Sequence, residues 1–212
     1  MSAANAPAPA AAPRPRPILL ASTSADRARI LASAGIAAES VAPGIEEHPI
    51  KVKHAANRMR ADQLATALAE LKAETVSKGR PEALVIGADQ VLDCDGKWYD
   101  KPGGRDAARR QLKELRGKRH RLVTAVAVAA KGEVEWRHVE SAVLTMRVFS
   151  DPFLEAYLDR AGDSIFGSVG AYQFEGIGAL LFAKVEGDFF AILGLPLLPL
   201  LDHLRRVGAL LA

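Results

Sequence analysis

The stretch Ala83–Asp100, ALVIGADQVLDCDGKWYD, decides how this 212-residue chain folds. Ala83–Leu92 is an apolar run with β-branched residues and a carboxylate near its middle, the pattern of a buried strand. DCDG (93–96) reads as a tight turn and KWYD (97–100) as the return strand of a hairpin. A second hairpin follows downstream, where HRLVTAVAVAA (120–130) and EVEWRHVESAVLTMRVF (133–149) are joined through Lys131-Gly132. Two hairpins among alternating helices point to a mixed α/β sheet with covering helices, not a doubly wound parallel one.

Working outward, Ile18–Ala21 reads as a short strand and Asp26–Ala34 as a helix closed by Gly35. Residues 36–49 read as extended, with a turn at Pro43-Gly44, and Ala55–Ser77 as one long helix ended by Gly79 and Pro81. Further helices are predicted at Arg105–Leu115, from Asp151 to about Arg160, and over 196–211. The glycine-rich segment 167–188 is expected to form turns and one strand, and no internal repeat is visible.

The net charge is +3, from 28 basic and 25 acidic residues. Arg14 and Arg16 belong to an Ala/Pro-rich tail, residues 1–17, whose prolines interrupt any signal-peptide core and favour disorder. The domain proper, residues 18–212, then carries about +1, too little for a general nucleic-acid binder. The most apolar later run, FFAILGLPLLPLL (189–201), is too short and too broken by Gly194, Pro196 and Pro199 to span a bilayer. Cys94 is the only cysteine, so no internal disulfide forms, and acidic neighbours make it a poor nucleophile. A cytoplasmic protein without membrane or nucleic-acid partners is the expectation.

Three features carry chemistry. Asp89 sits among apolar residues, where an unpaired charge is costly; it is either a hydrogen-bonded structural acid beside Gly87 or a general base or Mg²⁺ ligand. Glu46 and Glu47, after the Pro43-Gly44 turn, are surface acids or partners of Asp89 around a hard metal ion. Ser22-Thr23-Ser24 ends a strand and opens a helix, an arrangement that either caps the helix or offers N–H and hydroxyl donors to an anion, with Arg27 one turn further on. Lys72 and Lys101 are surface lysines or phosphate-binding cations. No Walker loop and no His/Cys ligand cluster is present, which excludes P-loop chemistry and zinc.

The blocks LASTSADRARIL (20–31), APGIEEHP (42–49), LAELKAE (68–74), VIGADQVL (85–92), KPGGRDAARRQLKELRGKRH (101–120), GAYQFEGIGALLF (170–182) and GLPLLPL (194–200) together resemble the Maf family of nucleoside triphosphate pyrophosphatases. The resemblance implies a Maf/inosine-triphosphatase-like fold, a long twisted mixed sheet with two lobes around a cleft, often in a homodimer. It implies hydrolysis of a nucleoside triphosphate to monophosphate and pyrophosphate with a divalent metal, Mg²⁺ or Mn²⁺, in a role cleansing the nucleotide pool. Asp89 matches the family's catalytic acid, Ser22, Ser24 and Arg27 its first phosphate-binding motif, and Glu47, Lys72 and Lys101 its further site residues. Asp89 and Glu47 are the implied metal ligands.

LASTS, Asp89-Gln90 and the block around Glu175 look like the branch acting on 7-methyl-GTP, and Glu175 is the candidate reader of the base. The first motif departs from the family pattern: Ala25 and Asp26 follow Ser24, and Arg27-Ala28-Arg29 replaces two adjacent arginines. Asp26 brings a negative charge near the phosphate site, and Arg29 cannot stand in for an arginine at 28. The alternative expectation is a nucleotide-binding regulator with weak or lost catalysis.

Overall fold

The computed structural model describes residues 16–57 and 59–211. The strands are β1 (Ile18–Leu20), β2 (Ala38–Ser40), β3 (Leu84–Cys94), β4 (Lys97–Tyr99), β5 (Arg119–Ala130), β6 (Glu133–Met146) and β7 (Phe182–Glu186). The helices are α1 (Ala25–Ser33), α2 (Glu47–Ala56), α3 (Ala61–Gly79), α4 (Arg105–Leu115), α5 (Asp151–Ala161), α6 (Phe189–Ile192) and α7 (Leu197–Arg206). Of the expected tail, residues 1–15 lie outside the described residues. Arg16 donates to the Ala83 carbonyl at 3.2 Å, and Leu84 N–H donates to the Pro17 carbonyl at 2.9 Å.

The sheet is mixed, as expected. It runs β2-β1-β3-β5-β6-β7, with β4 paired to β3 off this path. β2, β1 and β3 are parallel, and every other pairing is antiparallel. Both expected hairpins form. Asp95-Gly96 and Lys131-Gly132 have positive φ at both positions, the backbone that two-residue hairpin turns require.

Alternation along β3 and β5 sorts the core. Val91 of β3 and Val123, Ala125, Ala127 and Ala129 of β5 face α3, which packs on them through Leu64, Ala65, Leu68, Ala69 and Ala73. The opposite face holds two separate clusters. Ile86, Ala88, Val126 and Val128 pack under α1 and α7; Leu92, Leu122 and Leu144 pack under α4 and α5. Between them lie Gln90 and Thr124, paired across the strands and polar. Gln90 Nε2 donates to Thr124 Oγ1 at 2.9 Å and lies 3.0 and 3.1 Å from the Ala191 and Ile192 carbonyls of α6.

The sheet also leaves an opening. One edge of β3 pairs with β5 from Val85 to Asp93. The other pairs with β1 only at Leu84–Ile86 and with β4 only at Leu92–Cys94. Residues 87–91 therefore have a strand partner on one side alone, and Asp89 stands at the centre of that gap.

Two expectations are corrected. The segment after Pro43-Gly44 does not stay extended, because α2 begins at Glu47. Pro49 falls in its first turn, where a missing N–H costs nothing, while Ile50 and Val52 disguise the helix as β-like sequence. The long helix expected over 55–77 is two helices: α2 ends at Ala56 and α3 starts at Ala61, where Arg60 N–H donates to Gln63 Oε1 at 2.9 Å. The single turn of α6 was not foreseen.

Candidate active site

Lys72 of α3 reaches the gap in β3. Its Nζ lies 2.6 Å from Asp89 Oδ1 and 2.7 Å from Glu47 Oε1, joining three elements through one ammonium. The approach depends on Gly87. A Cβ there would lie 2.2 Å from the Ala69 carbonyl oxygen and 2.7 Å from the Ala73 nitrogen, so only glycine lets α3 settle this close. Asp89 and Lys72 are both buried. Burial pushes the Asp89 carboxyl above the ordinary aspartate range, and the charges of Lys72 and Arg27 offset this only in part. Burial acts on Glu47 in the same sense, but its bonds to Lys72 and Lys51 outweigh it and hold that carboxyl below the usual range.

On the other wall, β1 runs into α1 through Ser22-Thr23-Ser24. Ser24 caps α1, its Oγ accepting from Arg27 N–H at 3.4 Å. Ser22 is buried, and its Oγ accepts from Ser24 N–H at 3.1 Å and from Arg27 Nη1 at 3.3 Å. Ser22 thus braces the turn and the arginine. Arg27 Nε donates to the Gly194 carbonyl at 2.8 Å, tying α1 to the loop between α6 and α7. Burial lowers the guanidinium pKa, against the opposing pull of Asp89, Glu47 and Asp26.

Ser24, Arg27, Glu47, Lys72, Asp89, Lys101 and Glu175 all line one cleft of about 270 Å³. Of the expected site residues only Ser22 is absent from its lining. Glu46 is exposed and takes no part in it, so of the glutamate pair only Glu47 turns inward. Lys101 stands at the rim, where partial withdrawal from water and the charge of Arg27 lower its pKa. Arg29 Nη2 lies 2.7 Å from Asp26 Oδ1 and 2.8 Å from Glu175 Oε1, so the arginine out of place for phosphate bridges two carboxylates and offsets one of their two charges.

A larger space of about 980 Å³ adjoins the cleft, sharing Lys51, Gln90, Asp100 and Val169 with it. The smaller cleft holds Asp89, Lys72 and Arg27, and the chemistry belongs there. Lys51 was missed because it rides on α2, which the sequence disguised. Its spacing of four from Glu47 is the signal that was present. Cys94 is buried, and burial and Asp95 raise its thiol pKa, which fits its reading as unreactive.

A crevice at the carboxyl end of parallel β1, with a buried carboxylate and several converging cations, defines an α/β enzyme that works on phosphorylated substrates. The comparisons give that class its family. The Maf-like protein family model matches residues 17–207, and the chain belongs to the Maf family. It is 54% identical to the nucleoside triphosphate pyrophosphatase of Paramagnetospirillum magneticum, over 91% of this chain and 99% of that one. It is 50% identical to the enzyme of the same name from Rhodospirillum rubrum, over 92% and 96%. It is 42% identical to the 7-methyl-GTP pyrophosphatase of Rhizobium meliloti, over 91% and 97%. The chain is an enzyme, a nucleoside triphosphate pyrophosphatase.

Proposed function

We propose that the enzyme hydrolyses a modified nucleoside triphosphate, 7-methyl-GTP or a close analogue, with a divalent metal, Mg²⁺ or Mn²⁺, at Asp89 and Glu47. The observation that carries the catalytic part is the Lys72-bridged pair of carboxylates in the β3 gap.

The donor set fits a hard cation. Among the described residues no group of three His, Cys, Asp or Glu side chains could hold an ion by itself. Mg²⁺ needs no such cage, because it binds through one or two carboxylates together with water and substrate phosphates. Asp89 and Glu47 would hold the ion, each having one carboxylate oxygen outside the Lys72 contacts. When bound, the ion would neutralise phosphate charge.

The chain's own groups do the rest. Asp89 orients a water and accepts its proton as the oxygen attacks the α-phosphorus, and the bond to the bridging oxygen breaks. The electron pair leaves with pyrophosphate, and the nucleoside monophosphate remains. Lys72 favours the ionised form of Asp89 and so opposes part of the effect of its burial. Arg27 and Lys101 stabilise the negative charge on the phosphoryl oxygens.

The specificity reading rests on Glu175 and on the 7-methyl-GTP pyrophosphatase among the relatives. Arg29 holds Glu175 Oε1, leaving Oε2 to accept from the ring N–H and amino group of a guanine edge, and the negative charge suits a methylated, cationic purine.

The test is pyrophosphate release from 7-methyl-GTP, dTTP, UTP, CTP and ITP with Mg²⁺, with Asp89→Ala as control. Release that depends on Asp89 and is fastest with 7-methyl-GTP is expected. Tight binding without such release would make the protein a nucleotide-binding regulator. Glu175→Gln is expected to cut the preference for 7-methyl-GTP over UTP by about tenfold or more, the loss of one charged hydrogen bond. Unchanged selectivity would remove Glu175 from base recognition. Light scattering on the purified protein decides whether it forms the homodimer that the resemblance implies.

A further inference from the structure

We propose that Lys51 is a further phosphate-binding cation of this cleft, parked on Asp100 in the free enzyme and transferred to the pyrophosphate end of the substrate on binding. The proposal rests on the pyrophosphatase reading and extends it to a residue that the resemblance did not mark.

Lys51 lies one turn after Glu47 on α2, so both side chains leave the same helix face. Its Nζ is 2.6 Å from Asp100 Oδ1 and 3.4 Å from Glu47 Oε2. The pairing with Asp100 is unequal: the Lys51 side chain is 29% exposed and that of Asp100 is 65% exposed. An ion pair with so open a partner contributes little net stability, because the released carboxylate is promptly rehydrated. Exchanging Asp100 for a phosphate oxygen therefore costs little and gives the ammonium a more highly charged acceptor.

The charges already in the cleft leave room for this role. Lys72 is engaged by Asp89 and Glu47, and Arg27 is braced by Gly194 and Ser22. Among the described residues Lys101 is the only other lysine lining the cleft, and a triphosphate brings about four negative charges into it. Lys51 already lines that wall, and a rotation of its flexible stem redirects the ammonium without moving α2.

The experiment compares Lys51→Ala, Lys51→Arg and Asp100→Asn by steady-state hydrolysis of the best nucleotide in the panel and by inhibition with inorganic pyrophosphate. Lys51→Ala is expected to raise both KM and the pyrophosphate inhibition constant by about tenfold or more, with a much smaller change in kcat. Lys51→Arg should recover most of the loss, and Asp100→Asn should keep the wild-type KM or lower it. Equal impairment in Lys51→Ala and Asp100→Asn would mean that the pair is a structural latch and overturn the proposal. So would an unchanged KM in Lys51→Ala. If the wild type hydrolyses no nucleotide, the pyrophosphatase reading fails on its own. Calorimetric titration of wild type and Lys51→Ala with pyrophosphate then still decides whether Lys51 binds phosphate.

Discussion

Asp89 is a carboxylate that the fold makes reluctant to ionise, and Lys72 is the counter-charge that restores its use. The sign of the resulting pH dependence follows. An acid whose pKa lies above the ordinary aspartate value of 3.8 is protonated at a higher pH than its free counterpart, and protonated it cannot take a proton from water. Activity is therefore lost as pH falls through that raised value, and the acid limb of kcat/KM should sit above the ordinary aspartate range. Lys72→Met removes the opposing charge. The limb should then move further up and activity at neutral pH should fall by about 10²-fold, the scale of losing one preorganised charged donor. A limb within the ordinary aspartate range that Lys72→Met leaves in place would show that Asp89 is not the titrating group. At the alkaline end, the lowered pKa of Lys101 brings loss of its charge below the ordinary lysine value of 10.5. Asp89 stood out in the sequence, since a mid-strand acid demands a reason, whereas Lys72 and Lys101 were marked only by the family resemblance. The partnership of Asp26 and Glu175 through Arg29 was not legible there, because it joins residues 146 positions apart.

At the scale of elements, the site depends on how closely α3 lies on β3. In the sequence Gly87 is only a glycine near the buried acid, whereas the structure makes it a contact point between helix and sheet, flanked by Ala69 and Ala73. Gly87→Ala should force the helix outward and destabilise the fold by about 1–3 kcal/mol, a fall of several degrees in Tm by thermal unfolding. Because the same movement draws Lys72 from Asp89, kcat/KM below the unfolding range should fall as well. A variant with wild-type Tm and wild-type activity would contradict the close-approach account. The hairpins and α4 were readable because turn glycines and helical periodicity act locally. α2 was not, because Pro49 and two β-branched residues argue locally against the helix that its packing supports.

For the molecule as a whole, the mixed sheet followed from two hairpins set among helices, and the family resemblance from blocks spread over nearly the whole chain. The position of the cleft could not be read in the same way. It follows from β1 and β4 being only three residues long and pairing at opposite ends of an eleven-residue β3, a matter of register that no local pattern encodes.

The polar divide at Gln90 and Thr124 has a mechanical consequence. The two apolar clusters are joined by β3 and β5, which pass unbroken beneath both of them. No loop serves as a pivot on these strands, so narrowing the mouth around a substrate means winding a paired ribbon, as one wrings a strap. Such a ribbon yields by small angles shared over many residues, with no single residue acting as the hinge.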